Sequence, residues 1–109
     1  MTMTLDITQF ATDASEKPKS PYNMLVPYYI MMSYRYYEKD DPIVSDSLFD
    51  LTAKKLLKEW ENISHYHKEY LNTDMLEAGT YSGQYPSIVS GASYAVSDKI
   101  FGKRLRALL

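Results

Sequence analysis

The sequence contains no cysteine among its 109 residues, and it has only 4 glycines and 5 prolines. The absence of cysteine excludes a disulfide framework, a thiol nucleophile and a thiolate metal site. No apolar run approaches the roughly 18 residues that a membrane-spanning helix needs, so we expect no such helix. The first residues show neither the basic stretch nor the apolar core of a secretory signal, which favours a cytoplasmic setting.

Neither positive nor negative charge is in large excess. The chain has 12 basic and 14 acidic residues, a net charge of −2 and a pI near 5.6. This balance argues against direct nucleic-acid binding. The hydrophobic share of 45% is enough for one small core. What is abundant is tyrosine, with 11 residues.

The chain divides into an N-terminal arm and one folded unit. Residues 1–20 are interpreted as the arm, because the stretch from Asp13 to Pro21 is polar and has two prolines, which is typical of a linker or arm. Leu5, Ile7 and Phe10 could attach this arm to the rest of the protein. We expect a single helical domain over residues 21–109.

Two helices are predicted first. Ser20 is a plausible N-cap for a helix that runs to about Lys39, in which Tyr29, Met32 and Tyr36 share one face. The sequence Asp40-Asp41-Pro42 stops this helix, because proline disfavours helical angles in the residue before it.

The second helix is expected to begin after Ser45 and to run from Asp46 to about Asn62, or as far as Tyr70. Its predicted apolar stripe, at helical spacing, consists of Phe49, Ala53, Leu56, Trp60 and Ile63, with lysines and glutamates outside.

The last third is less regular. Residues 72–74 and 79–83 have turn composition, and residues 86–109 have helical spacing that Gly91 or the Ser97-Asp98 pair could divide. No strand alternation appears anywhere. The predicted fold class is therefore all-α: a small domain built on an antiparallel helical hairpin, with an extended N-terminal arm and a helical C-terminal third.

The predicted hairpin brings aromatic rings and carboxylates together. Its short loop would place the end of the first helix beside the start of the second, so that five side chains converge: Tyr36, Tyr37, Asp46, Phe49 and Asp50. Aromatic rings can stack on a cationic ring, and carboxylates accept hydrogen bonds from ribose hydroxyls or an amide. A flat, cationic, hydroxyl-bearing ligand such as nicotinamide mononucleotide fits this combination.

Residues 28–62 resemble the N-terminal Ia domain of bacterial NAD-dependent DNA ligases, a helical domain that grips the nicotinamide mononucleotide half of NAD. The matching positions are Tyr34, Tyr36, Tyr37, Asp40, Pro42, Val44, Ser45, Asp46, Phe49 and Asp50. The resemblance implies that Tyr36 stacks on the nicotinamide and that Asp46 and Asp50 contact the ribose or the amide. Phe49 stands where the family usually has tyrosine, and Tyr37 where it has histidine or tyrosine.

The resemblance stops short of a complete ligase. The family's catalytic lysine lies in a Lys-x-Asp-Gly motif, which this sequence lacks. The chain is thus not a self-sufficient ligase, and the expected partner is a separate adenylation subunit in the cytoplasm of a bacterial or phage-infected cell.

Plainer interpretations stay open. The aromatic residues could simply pack two helices together, and the two aspartates could serve the helix start. His65 and His67 are poorly spaced for a metal. The alternative function is a phage-like structural or interaction protein, virion-associated or a homo-oligomer, whose helical hairpin and tyrosine-rich surface make protein contacts.

Overall fold

A computed structural model describes residues 20–95 and 97–109, and the regular structure within them is entirely helical, with no strand. Five α-helices follow one another: α1 Leu25–Ser33, α2 Asp46–Lys58, α3 Thr73–Ala78, α4 Ser87–Ala92 and α5 Asp98–Leu108. Short 3-10 segments lie at Pro21–Met24, Trp60–Asn62 and Tyr66–Tyr70. The all-α class is confirmed. The predicted arm, apart from Ser20, lies outside the described residues.

The first helical stretch begins where the sequence predicts. The hydroxyl of Ser20 accepts a hydrogen bond from the backbone N–H of Tyr22 at 3.1 Å, as an N-cap does. Pro27 lies in the first turn of α1, where proline is tolerated because the first N–H groups of a helix lack α-helical acceptors. The stretch continues without a break to Glu38.

The end of this stretch, Tyr34–Glu38, is a π-helical segment rather than α-helix. A π turn contains one residue more than an α turn, so it rotates the side chains that follow it. Tyr29 and Met32 are fully buried, but Tyr36 is 38% exposed and Arg35 is only 4% exposed. The single face predicted for Tyr29, Met32 and Tyr36 is therefore interrupted after Met32.

The second helix, α2, starts as predicted and ends early. Ser45 caps it, accepting a hydrogen bond from the N–H of Leu48 at 3.2 Å. It ends at Lys58, short of the predicted Asn62 or Tyr70. The ammonium of Lys68 donates to the carbonyl oxygens of Trp60 (2.7 Å) and Ile63 (2.9 Å), so it satisfies carbonyls that a longer helix would have paired internally.

Residues 72–74, which were expected to form a turn, instead start the short helix α3. Asn72 is its N-cap, since its side-chain oxygen accepts from the N–H of Met75 at 2.8 Å. Leu76 is buried, and Gly79 ends the helix in the left-handed conformation at φ 68°. The turn-forming residues of the sequence are therefore the two caps of a helix.

The predicted division of the last helical stretch is confirmed at the Ser97-Asp98 pair. Ser97 caps α5 by accepting from the N–H of Ile100 at 3.2 Å. Gly91 lies inside α4 and does not interrupt it.

Helix α1 is the centre of the fold, because α2, α4 and α5 all pack on it, while α3 packs on α2. Tyr28 of α1 meets Phe101 of α5 edge to face, with ring centroids 5.0 Å apart. The core draws on every α-helix, and its fully or almost fully buried apolar members include Leu25, Tyr29, Ile30, Leu56, Leu76, Val89 and Leu105. None of the described helices combines the length and apolar character needed to cross a membrane.

Candidate functional site

The side chains predicted to form a site line one small cleft. Its walls come from the π segment, from the first turn of α2 and from the end of α3, and they consist of Tyr36, Tyr37, Asp46, Phe49, Asp50 and Gly79. The structure thus brings all five predicted residues together and adds one. This convergence follows from the short loop after the π segment, which returns the chain to the start of α2.

The aromatic side of the cleft combines buried and exposed rings. Phe49 is 8% exposed and packs on Tyr29, with ring centroids 5.0 Å apart. Tyr36 meets both Tyr37 (4.9 Å) and Phe49 (5.7 Å) at steep angles. Tyr37 is 45% exposed. Phe49 therefore connects the cleft to the core, whereas the two tyrosines keep surface available for another ring.

The polar side of the cleft is anionic. Asp46 and Asp50 are exposed residues in the first turns of α2. Asp50 pairs with Lys54 at 3.0 Å, and Asp46 has no ion-pair partner among the described residues. Both carboxylates suit the helix start electrostatically, so their position alone does not require a ligand.

Gly79 is the cleft residue that sequence reasoning missed. A Cβ at this position would lie 3.4 Å from Oδ1 of Asp50, so the missing side chain keeps that wall open. The next residue is held by Tyr29, whose hydroxyl donates to the carbonyl of Thr80 at 2.8 Å. The sequence does contain a signal, since Gly79 follows Asp74 by five residues, but it is recognisable as a helix C-cap only once α3 is known.

Arg35 anchors the loop that connects the π segment to α2. Its guanidinium donates to the carbonyl oxygen of Asp41 (3.1 Å), to the Asp41 carboxylate (2.9 Å), to the carbonyl of Ser93 (3.0 Å) and to the Asp98 carboxylate (3.3 Å). It also lies 4.6 Å from the centre of the Tyr94 ring. Sequence reasoning assigned Arg35 no role, because the burial of this side chain depends on the π segment.

Burial and neighbouring charge keep the phenols of this region protonated. Burial, with a smaller contribution from Tyr36, raises the pKa of Tyr37. Burial also raises the pKa of Tyr29, with smaller contributions from Tyr37 and Asp50. At neutral pH these hydroxyls are therefore hydrogen-bond donors, and the negative charge of the cleft resides on its aspartates.

The size of the cleft restricts what it can enclose. Its volume is about 110 Å³. A protein cavity of roughly 150 Å³ holds one benzene molecule. The cleft is smaller than that cavity, so an aromatic ring would be only partly enclosed in it, and the remainder of a nucleotide would extend over the surface.

The other candidate groups do not form a comparable site. His67 is buried, and its Nδ1 has no hydrogen-bond partner among the described residues. The Nδ1 of His65 accepts the backbone N–H of His67 at 3.0 Å, which caps the following 3-10 turn. No cluster of metal-binding side chains occurs within residues 20–95 and 97–109.

Comparisons with protein families, with curated proteins and with solved structures give no match for this chain.

Proposed function

We propose that this protein is a binding module for the nicotinamide mononucleotide half of NAD, similar in role to the Ia domain of NAD-dependent DNA ligases. One observation carries the proposal: five residues named for this ligand from the sequence line a common cleft with exposed aromatic surface and two carboxylates. The cleft is smaller than a cavity that encloses benzene, so a ring would be only partly enclosed by it. A pyridinium ring there would be attracted both by the tyrosine faces and by Asp46 and Asp50.

The lack of a Lys-x-Asp-Gly motif limits the module to an accessory role. It would present the nicotinamide half-site in trans, while a separate adenylation subunit attacks the AMP half. Phe49 keeps its ring but has no hydroxyl to contribute, so binding depends on the two tyrosines and two aspartates.

Calorimetric titration with nicotinamide mononucleotide tests the binding step. We expect the oxidised, cationic form to bind at least tenfold more tightly than the neutral reduced form, because only the former has the charge that the carboxylates attract. Asp46→Asn should weaken binding by about tenfold, on the order of 1.4 kcal/mol. Asp74→Asn is the matched control, since Asp74 also lies in the first turn of a helix but outside the cleft. No binding at millimolar ligand, or equal binding by Asp46→Asn and the unchanged protein, would refute the proposal.

The role in trans has its own assay. An NAD-dependent ligase from which the Ia domain has been deleted should regain self-adenylation when this protein is added, and Asp46→Asn should fail to restore it. Tight nucleotide binding without any restoration would retain the binding function and reject the split-ligase role.

A second candidate function is favoured by a different surface. A groove of about 180 Å³, mostly apolar in its lining, lies between α1, α4 and the segment of His65 and His67. Within this lining, Tyr66 is 71% and Ile88 67% exposed. A second copy of the chain could cover this groove. Light scattering would then show a dimer that Ile88→Asp dissociates. A monomer at all concentrations would remove this alternative.

A further inference from the structure

Asp50 links the cleft to a second, basic surface. Its Oδ1 faces the cleft wall at Gly79, and its Oδ2 pairs with the ammonium of Lys54 at 3.0 Å. Among the ion pairs of the described residues, the Asp50–Lys54 pair is the one that involves a residue of the cleft. An elongated ligand that leaves the cleft past Asp50 would meet this lysine first.

Lys54 belongs to a groove on the outer face of α2, which we call the lysine groove. Its volume is about 220 Å³, and it is lined by Leu51, Lys54, Lys55, Lys58 and Leu109. Each of the four α2 residues lies within one helical turn of the next, so that together they span two turns along a single face. The ammonium of Lys55 lies 4.5 Å from the centre of the Tyr22 ring, Lys54 pairs with Asp50, and Lys58 has no ion-pair partner among the described residues.

The negative charge of the cleft favours a cationic ring there and disfavours the phosphate of the same ligand. Two unit charges in contact interact several times more strongly near a protein surface than in bulk water. Asp46 and Asp50 therefore attract a cationic ring and repel a phosphate of the same ligand. The lysine groove has no acidic residue in its lining and offers the opposite charge.

Lys54 can exchange its partner at little cost. The side chains of Lys54 and Asp50 are 70% and 55% exposed, and ion pairs this exposed contribute little to stability. A phosphate brings greater charge and more acceptor oxygens than the single carboxylate that it would replace. Lys58 lies one turn further along α2, about 6 Å away along the helix axis, and can engage the same phosphate.

We propose that Lys54 and Lys58 bind the phosphate of the ligand whose ring occupies the cleft. The ligand class is then a nucleotide with a cationic ring, rather than the corresponding nucleoside or free base. This inference rests on the proposed function, because it requires the ring to lie in the cleft. It adds the phosphate site and the discrimination between nucleotide and nucleoside.

Calorimetry of the full chain with nicotinamide riboside and with nicotinamide mononucleotide tests this assignment. We expect the mononucleotide to bind at least tenfold more tightly than the riboside at low salt. In the double variant Lys54→Ala/Lys58→Ala this ratio should fall to within twofold, while riboside binding persists. Lys58→Ala alone should lower the ratio without disturbing the Asp50–Lys54 pair. The matched control, Lys99→Ala/Lys103→Ala, removes the same charge from α5 and should keep the full ratio.

The possible outcomes separate the two proposals. Equal binding of riboside and mononucleotide by the unchanged protein, or a full ratio in the double variant, overturns the phosphate site and leaves the nicotinamide cleft standing. Binding of neither ligand overturns both. If the ratio of mononucleotide to riboside affinity falls equally in Lys99→Ala/Lys103→Ala, the effect is due to net charge, and the phosphate site is also overturned.

Discussion

At the scale of single residues, the buried Arg35 has a structural role that the sequence did not reveal: it holds distant segments of the chain together through hydrogen bonds. A buried guanidinium needs acceptors for its N–H groups, since desolvation is otherwise costly. Here two carbonyl oxygens and two carboxylates supply them. The same contacts connect the loop after the π segment to residues 93–98, so the C-terminal third helps to hold the cleft.

Replacing this side chain should be costly. We expect Arg35→Met to lower the free energy of unfolding by about 2–3 kcal/mol, because the buried carbonyl of Ser93 loses a charge-assisted donor. Urea denaturation followed by circular dichroism measures the change. Lys99→Met, at an exposed position of α5, should shift stability by less than about 0.5 kcal/mol. A loss of that small size in Arg35→Met would show that the Arg35 contacts do not stabilise the fold.

At the scale of elements, the sequence predicted where helices start better than where they end. Ser20 and Ser45 act as the N-caps that the sequence indicated, because a cap is a local interaction of a side chain with its own backbone. Ser97, predicted only as part of a break between helices, also caps α5. The end of α2 was predicted too late. Its apolar stripe does continue to the buried Ile63, but Ile63 reaches the core from extended backbone.

Two glycines provide a matched test at this scale. Gly79 has a φ of 68° at the end of α3, whereas Gly91 lies within α4 and has open space, with no atom within 4 Å, where a Cβ would be. Gly79→Ala should cost about 1–2 kcal/mol, because an alanine in the left-handed region is strained. Gly91→Ala should stabilise by up to about 0.5–1 kcal/mol, because alanine loses less backbone entropy in a helix.

Thermal unfolding should therefore move in opposite directions for the two variants, by roughly 4–8 °C per kcal/mol in a domain of this size. Shifts of the same sign would contradict the assigned conformations. Because the Cβ that Gly79→Ala introduces would touch Asp50 only at ordinary contact distance, strain rather than a clash is expected to decide the result at Gly79.

At the scale of the whole molecule, the abundance of tyrosine has several causes rather than one. Tyr29 is in the core and Tyr28 contacts α5, while Tyr81 and Tyr85 pack on each other at 4.9 Å. The hydroxyl of Tyr85 donates to the carbonyl of Ser33 at 3.4 Å, which ties the segment before α4 to the end of α1. These four rings hold the helices together, whereas other tyrosines are exposed, namely Tyr36, Tyr37, Tyr66 and Tyr94.

These phenols make stability depend on alkaline pH. Burial raises the pKa of both Tyr81 and Tyr85 from 10.0 to about 12, with smaller contributions from neighbouring groups. The folded state therefore retains protons that the unfolded chain loses above pH 10. The stabilisation is fully present below pH 10 and is lost as the pH rises from 10 to about 12.

Urea unfolding between pH 8 and about pH 11.5 checks this dependence. Stability should fall steadily above pH 10, and the fall should be smaller in Tyr81→Phe and Tyr85→Phe. Tyr66→Phe removes a hydroxyl from a ring that is 71% exposed and serves as the control. A pH dependence that is identical in all three variants would assign the alkaline loss to other groups.

The sequence by itself determined the helical class, two of the caps and the five side chains of the cleft. These features depend on local capping, on helical periodicity and on a loop too short to separate its neighbours. The tertiary structure decided what depends on distant residues. The π turn exposes Tyr36 and buries Arg35 among acceptors from residues 41, 93 and 98, and the hydrogen bond from Tyr29 to Thr80 brings Gly79 to the cleft. No local pattern specifies such contacts, because they form only when segments far apart in the chain pack together.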